Sequence, residues 1–257
     1  MSKAKISLGD RMKDFYESRS KHKLLRRMYT IVRIDGQSFK TYTKKLKRPF
    51  DDGLMEDMDD AAAYACSKIQ GAKLAFVQSD EISILITDFE DISTDAWFDN
   101  DSSKLTSLTS SYISTKFNQL RMLREIKKSF FINGEAGFVE KNSVEKTIKE
   151  IKLAEFDSRP LQLPTKTETI NYFIWRQQDI IRNSISSAAR VHYSDKELHN
   201  VNSDEKIHLL KNKGVDWDNI DNYYKNGRII YKQTNPESQR SQWICTSTPK
   251  FTENKEI

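Results

Sequence analysis

Two stretches of this chain carry carboxylates that a sheet could bring together. Asp35 closes an apolar run from Tyr29 to Ile34 that reads as a buried strand, and Gly36 follows it. Asp80 and Glu81 stand between two more strand-like runs, 73–77 and 82–87. Only Gln78 to Glu81 separates those runs, which is the spacing of a tight hairpin. Neighbouring carboxylates repel unless a cation neutralises them. Hard oxygen donors suit Mg²⁺, which binds through a few carboxylates and keeps waters and substrate phosphates as its other ligands. Two such ions about 4 Å apart can activate an attacking oxygen and stabilise a leaving one, as phosphoryl and nucleotidyl transfer require. Asp-Gly and Ser-Asp-Glu are also ordinary turn sequences. Spacing alone leaves the metal site and the plain turn both open.

The elements that would position these residues follow from periodicity. Residues 8–25 read as a helix with Leu8, Met12, Phe15 and Tyr16 on one stripe. Residues 51–69 form a second amphipathic helix, with Leu54, Met58, Ala61, Ala65 and Ile69 on one face and Gly71 as its stop. Residues 102–125 return to helical spacing, and 130–155 read as strands around a charged loop at 140–150. The order β-α-β-β-α-β predicts an α+β fold with a polymerase-palm-like, ferredoxin-like antiparallel sheet. Thr167 to Ala189 is a long helix, on which Tyr172, Phe173 and Trp175 could stack on bases but read rather as core, as aromatics on an amphipathic helix more often are. Ser194 to Glu197 fits a capping box opening another helix. Residues 228–232 and 241–246 form a late strand pair. We expect a palm-like catalytic domain over 1–160 and a mainly helical C-terminal extension over 161–257, packed as one unit.

Composition narrows the function classes. Residues 1–50 hold 15 Lys/Arg against 4 Asp/Glu, a balance of +11, and residues 51–60 then hold six acids and no base. A basic block favours a polyanionic partner such as RNA, and it equally describes a solvated lysine-rich face. No run of about 18 apolar residues exists, so no membrane span is expected. Two cysteines, Cys66 and Cys245, make no disulfide framework. The four histidines do not pair with them at zinc spacings. The N-terminal residues include Asp10, Asp14 and Glu17 and show no leader-like pattern, so the expected compartment is the cytoplasm, with the mitochondrion left open.

Four strings, in order, resemble the tRNA(His) guanylyltransferase family. Arg33-Ile34-Asp35-Gly36-Gln37-Ser38-Phe39 is similar to its RxDGxxF signature, and Gln78-Ser79-Asp80-Glu81-Ile82-Ser83 to its QSDEhS signature, where h is apolar. Phe156-Asp157-Ser158-Arg159 resembles its third block. Asn171 to Asp179 resembles its helix signature, YhxWRQxD. The resemblance spans about residues 8 to 190. It implies a palm with two Mg²⁺ ions held by Asp35, Asp80 and the carbonyl of Gly36. It implies ATP and GTP or other nucleoside triphosphates as substrates, with Gly36, Gln37, Ser38, Phe39 and Lys40 offering a backbone cradle for a triphosphate. Ser79 and Glu81 match further active-site positions, Glu81 as a support either for the metal shell or for the hairpin. Arg33 would neutralise phosphate or form a structural ion pair. Either Lys47 or Arg48 matches a nucleotide-contacting lysine, and Lys104 matches a basic residue after the Trp97-Phe98 pair.

The chain also departs from the family pattern. Lys40 stands where many members have His, and Asp99-Asn100-Asp101 replaces arginines that often follow the Trp-Phe pair. Ile181-Arg182-Asn183-Ser184-Ile185-Ser186-Ser187 replaces a HINNLYNT-like string and is similar to the guanylyltransferase-like branch. That branch implies template-dependent 3′-5′ nucleotide addition to a tRNA with an incomplete 5′ end, and a homotetramer. Guanylate addition to tRNA(His), a nucleotide cyclase on the same palm, and a non-catalytic RNA-binding palm are the competing functions.

Overall fold

The computed structural model describes residues 6–132, 135–136, 141–236 and 238–253. Helix α1 (Leu8–Met12) runs on through a π turn and a 3-10 turn to Ser20. Strand β1 (Tyr29–Gly36), the short α2 (Phe39–Tyr42), α3 (Asp52–Lys68), β2 (Ala72–Gln78), β3 (Glu81–Ile86) and α4 (Ser102–Phe130) follow. Next come the two-residue strands β4 (Phe131–Ile132) and β5 (Glu135–Ala136), then α5 (Lys141–Glu150), β6 (Phe156–Leu163) and α6 (Lys166–Ala189). Helices α7 (Ser203–Asn212) and α8 (Asn222–Lys225) precede β7 (Arg228–Thr234) and β8 (Ser241–Ser247).

Six strands form one sheet in the order β6-β1-β3-β2-β7-β8, and every pairing is antiparallel. The first four strands have the order of the split βαβ arrangement. The sheet's period of two explains the layering. Val32 and Ile34 of β1, with Ile82 and Ile84 of β3, join Met58 and Ala65 of α3 and Ile113 and Phe117 of α4 in the main core. The residues between them, Arg33 and Asp35, emerge on the opposite face.

The acidic run at 51–60 is largely spent on scaffolding. Asp51 caps α3 through the N–H of Leu54. The carboxylate of Asp57 accepts from Arg121 and Arg124 of α4, and that of Asp59 accepts from Arg228 of β7 at 2.7 Å. A fully buried Arg228 opposite a nearly buried Asp59 ties the C-terminal strands to α3.

The expected βαββαβ sheet, helices 51–69 and 167–189, and the late strand pair are all present. The late strands extend the palm sheet beyond β2, so the expected boundary at 160 falls inside β6. Three local expectations differ. The first helix stops at Ser20, because residues 22–24 bond instead to the backbone of 100–102. Its stripe of Leu8, Met12, Phe15 and Tyr16 is exposed. Residues 141–150, expected as a charged loop, form α5, since Lys and Glu favour helix when no strand partner is near. Among the described residues the expected strand stretch 130–155 holds only β4 and β5, and the sheet's next strand, β6, starts beyond it at Phe156; residues 133–134 and 137–140 lie outside the described set. Ser194 and Glu197 do bond reciprocally, but they close a series of turns. The capping box that opens a helix is Asn202 with Glu205, at α7.

Candidate active site

Cross-strand register assembles the site. Asp35 of β1 lies opposite Glu81 of β3 on one side and Asp157 of β6 on the other. Antiparallel partners project to the same face, so three carboxylates form a row across the end of the sheet. One step back along β1, Arg33 lies opposite Ser83 and Arg159. Two arginines directly opposite one another repel unless an anion lies between them. The face thus offers an acid row beside a basic pair.

Asp80 reaches the row through a two-residue turn, Ser79-Asp80. Ser79 adopts left-handed backbone at φ 50°. The N–H of Gly36 donates to the carbonyl of Asp80 at 3.1 Å, which binds the hairpin to the end of β1. Gly36 is required by packing. A Cβ there would lie 2.4 Å from a ring carbon of Phe39 and 3.0 Å from Cβ of Asp80. Phe39 is buried against Tyr42, Phe117 and Phe156, so it cannot yield easily. Gly36→Ala should therefore push Asp80 away from Asp35, and a displacement near 1 Å costs on the order of 100-fold in rate. Single-turnover nucleotidyl transfer checks this; a rate within threefold of wild type would show that the close approach is not needed.

Burial pushes the Asp80 carboxyl up to about 6; a hydrogen bond from the Ser79 side chain opposes the rise, and the charges of Asp35 and Glu81 add to it. Burial also raises Glu81, and Arg176 opposes that rise. The Arg176 guanidinium clamps Glu81 with Nε to Oε1 and Nη2 to Oε2, both at 2.7 Å. Arg176 continues to Asp179 at 3.1 Å, and Arg182 donates to Asp179 at 2.8 Å. Among the described residues, no cluster of three or more His, Cys, Asp or Glu side chains is arranged to hold a metal ion. The donor set that fits Mg²⁺ is smaller. It would comprise the carboxylates of Asp35 and Asp80 and the carbonyl of Gly36, with waters and phosphate oxygens as the other ligands. A buried acid held near 6 by desolvation is a group that a cation would relieve.

Gln37 and Ser38 lead from the end of β1 into α2, which carries Phe39 and Lys40. The N–H of Gln37 is occupied by the carbonyl of Glu155 at 2.8 Å, so with Gly36 it is already committed. Ser38, at φ 52°, opens α2. Lys40 is exposed and acts electrostatically on Asp195. Lys47 is exposed 3.6 Å from Asp52, and Arg48 is exposed before a cis peptide bond to Pro49. Lys104 sits in the first turn of α4, 5.3 Å over the Phe98 ring, and influences Glu17 of the N-terminal helical segment. Helix α4 packs on β6 from Thr106, whose carbonyl accepts from Ser158, to Asn118, which bonds Ala154.

Sequence alone assigns no site role to Asp157, Arg159, Trp175 or Arg176. Asp157 Oδ1 is buried without a hydrogen-bond partner, 3.4 Å from Arg159 Nε. Their motif blocks were visible; their meeting with Asp35 depends on β1–β6 register. Tyr172 is buried as expected, but Trp175 is 49% exposed. Gln177 is structural: it donates to the carbonyls of Asn226 and Pro249 and accepts from the N–H of Phe251.

A palm-like sheet with an acid row at one end defines a nucleotidyl-transfer scaffold. The family model for tRNAHis guanylyltransferase (Thg1) matches residues 9–164. The structure is similar to a bacterial tRNA(His) guanylyltransferase (Thg1)-like protein in complex with ATP, at TM-score 0.80 and 37% identity over 97% of this chain and 96% of that one. It is also similar to such a protein in complex with GTP, at TM-score 0.76 and 36% identity over 97% and 95%. The probable tRNA(His) guanylyltransferase of Dictyostelium discoideum is 26% identical over 87% of this chain and 83% of its own length. The chain belongs to the tRNA(His) guanylyltransferase family and is a nucleotidyltransferase of tRNA.

Proposed function

We propose that the enzyme adds nucleotides to an incomplete 5′ end of tRNA in the 3′-to-5′ direction, with the opposing strand as template. The observation that carries the chemistry is the acid row, Asp157, Asp35 and Glu81, with Asp80 beside it and Arg33 and Arg159 behind. ATP and GTP as substrates are supported by the two similar bacterial proteins, whose structures contain them. The branch assignment is supported by Arg182-Asn183-Ser184. Ser184 accepts from Gln78 of the hairpin motif at 2.9 Å, so this string is built into the site's support.

The reaction has two transfers. A 5′-monophosphate oxygen of the RNA attacks the α-phosphorus of ATP, and pyrophosphate leaves. The 3′-hydroxyl of a nucleoside triphosphate then attacks the adenylylated 5′ phosphate, and AMP leaves. Mg²⁺ held by Asp35, Asp80 and the Gly36 carbonyl would lower the pKa of the attacking hydroxyl and offset triphosphate charge. Arg33 and Arg159 hold phosphate oxygens over β1 and β6. The N–H groups of Ser38 to Lys40 face the triphosphate, since those of Gly36 and Gln37 are engaged. Glu81, fixed by Arg176, stands across the strand pair from Asp35 and adds to the negative field that a cation would neutralise. Base choice comes from Watson–Crick pairing, while the protein holds backbone and shape.

The test is incorporation of labelled GTP onto a tRNA lacking its first nucleotide and bearing a 5′-monophosphate, with ATP and Mg²⁺. Addition opposite C and not opposite A is expected. Addition regardless of the opposing base would replace this reading with untemplated guanylate addition, the activity that the family's name describes.

A further inference from the structure

We propose that Trp175 is a stacking platform for a nucleobase at the reacting end, a role that rests on the function proposed above. Tyr172, Trp175, Asp179 and Arg182 follow helical spacing along one flank of α6. The hydroxyl of Tyr172 meets Ser83 on β3 at 2.9 Å. Phe173 and Gln177 turn the other way, to Phe76 of β2 and to Asn226 and Pro249. The Trp175 flank therefore overlooks β1 and β6, where Arg33, Asp35 and Arg159 emerge.

The indole is held firmly although it is 49% exposed. The Arg176 guanidinium lies 4.6 Å from its centroid, and the Tyr172 ring packs edge-on at 5.8 Å and 73°. Arg176 is itself immobilised by the bidentate bond to Glu81. An exposed ring with a cation behind it is a ready surface for another π system. Stacking on aromatics accepts every base, because each has a π face. That tolerance suits a site where pairing, not the protein, selects the nucleotide. A mere cover over the Arg176–Glu81 pair would be served equally by any apolar side chain.

The two possible sources of the base are separated by titrating 5′-truncated, 5′-monophosphorylated tRNA in one arm and GTP in the other. Wild type is compared with W175F and W175L, reading tryptophan emission and Kd. Binding needs no turnover, so failure of the proposed chemistry would not obscure the result. RNA is expected to quench wild-type emission, and the quench should be missing in W175F, since Trp97 and Trp217 are buried and Trp243 is partly buried. W175L should raise the RNA Kd by about 10-fold or more, with W175F between it and wild type. A quench and Kd change confined to GTP would assign the base to the incoming nucleotide and uphold the platform. Equal Kd for all three proteins with both ligands, with the quench persisting in W175F, would overturn it. If W175L fails to fold, the W175F quench decides alone.

Discussion

Asp80→Asn is expected to abolish nucleotidyl transfer while making the metal-free protein more stable. Loss of a metal-holding carboxylate removes about 4 kcal/mol or more of transition-state stabilisation, roughly 10³-fold in rate. The stability effect follows from burial. Asp80 rises from 3.8 to about 6 in the folded protein. The folded state therefore binds the proton more tightly than the unfolded state. Below the unfolded value both states are protonated and no penalty exists. As pH rises from about 4 to about 6, the unfolded state ionises first and stability falls. Above that range the loss is constant, about 3 kcal/mol for a shift of roughly two units. Asn carries no charge, so the variant should gain up to that amount at pH 7.5 and little at pH 4, by urea unfolding in chelator. Mg²⁺ should stabilise the wild type at pH 7.5 and leave Asp80→Asn nearly unmoved. A destabilised variant with an unchanged magnesium response would show that Asp80 serves the turn and not a cation.

Arg176→Ala is expected to cost about 3–5 kcal/mol at neutral pH, because it leaves Glu81 buried without its counterion. The side chains of both residues are largely buried, at 9% and 16% exposure. Glu81→Gln in the same background should recover much of the loss, since an amide tolerates burial better than an unpaired carboxylate. The double-mutant cycle should give a coupling near the top of the ~0.5–3 kcal/mol range for contacting residues. Lys is a poor replacement, because an ammonium cannot form the two parallel bonds. Activity should fall with stability in Arg176→Ala, as Glu81 faces Asp35 across the ladder. Additive single effects would remove Arg176 from the site's support and leave it an ordinary surface-helix residue.

Much of the scaffold was legible because its patterns are local. The apolar runs 29–34 and 82–87 mark buried strands, and the apolar stripe of 51–69 marks the helix that covers one of their faces. The placement of Asp35 at a strand end and Asp80 in a hairpin needed only those patterns. Residues 141–150 were misjudged because few apolar positions there reveal a period, and charge composition describes loops and solvated helices alike. Asp157 and Arg159 could be seen as a motif. Their position opposite Asp35 and Arg33 comes from pairing strands more than a hundred residues apart, which no local spacing encodes. Trp175 was read as core because aromatic residues on amphipathic helices usually are, whereas here the neighbouring Arg176 takes the buried position over Glu81.

The most direct test of the central claim is transfer of label from α-labelled ATP to a 5′-monophosphorylated, 5′-truncated tRNA, with no other nucleotide present. Wild type and Asp80→Asn would be compared with Mg²⁺ and with chelator. If Asp35 and Asp80 form a metal-assisted nucleotidyl-transfer site, wild type with Mg²⁺ leaves a labelled adenylyl group on the RNA 5′ end. Chelator and Asp80→Asn each prevent it. Equal labelling by Asp80→Asn, or none by a folded wild type that binds both ATP and the tRNA, would contradict the assignment of this acid row as the reacting centre.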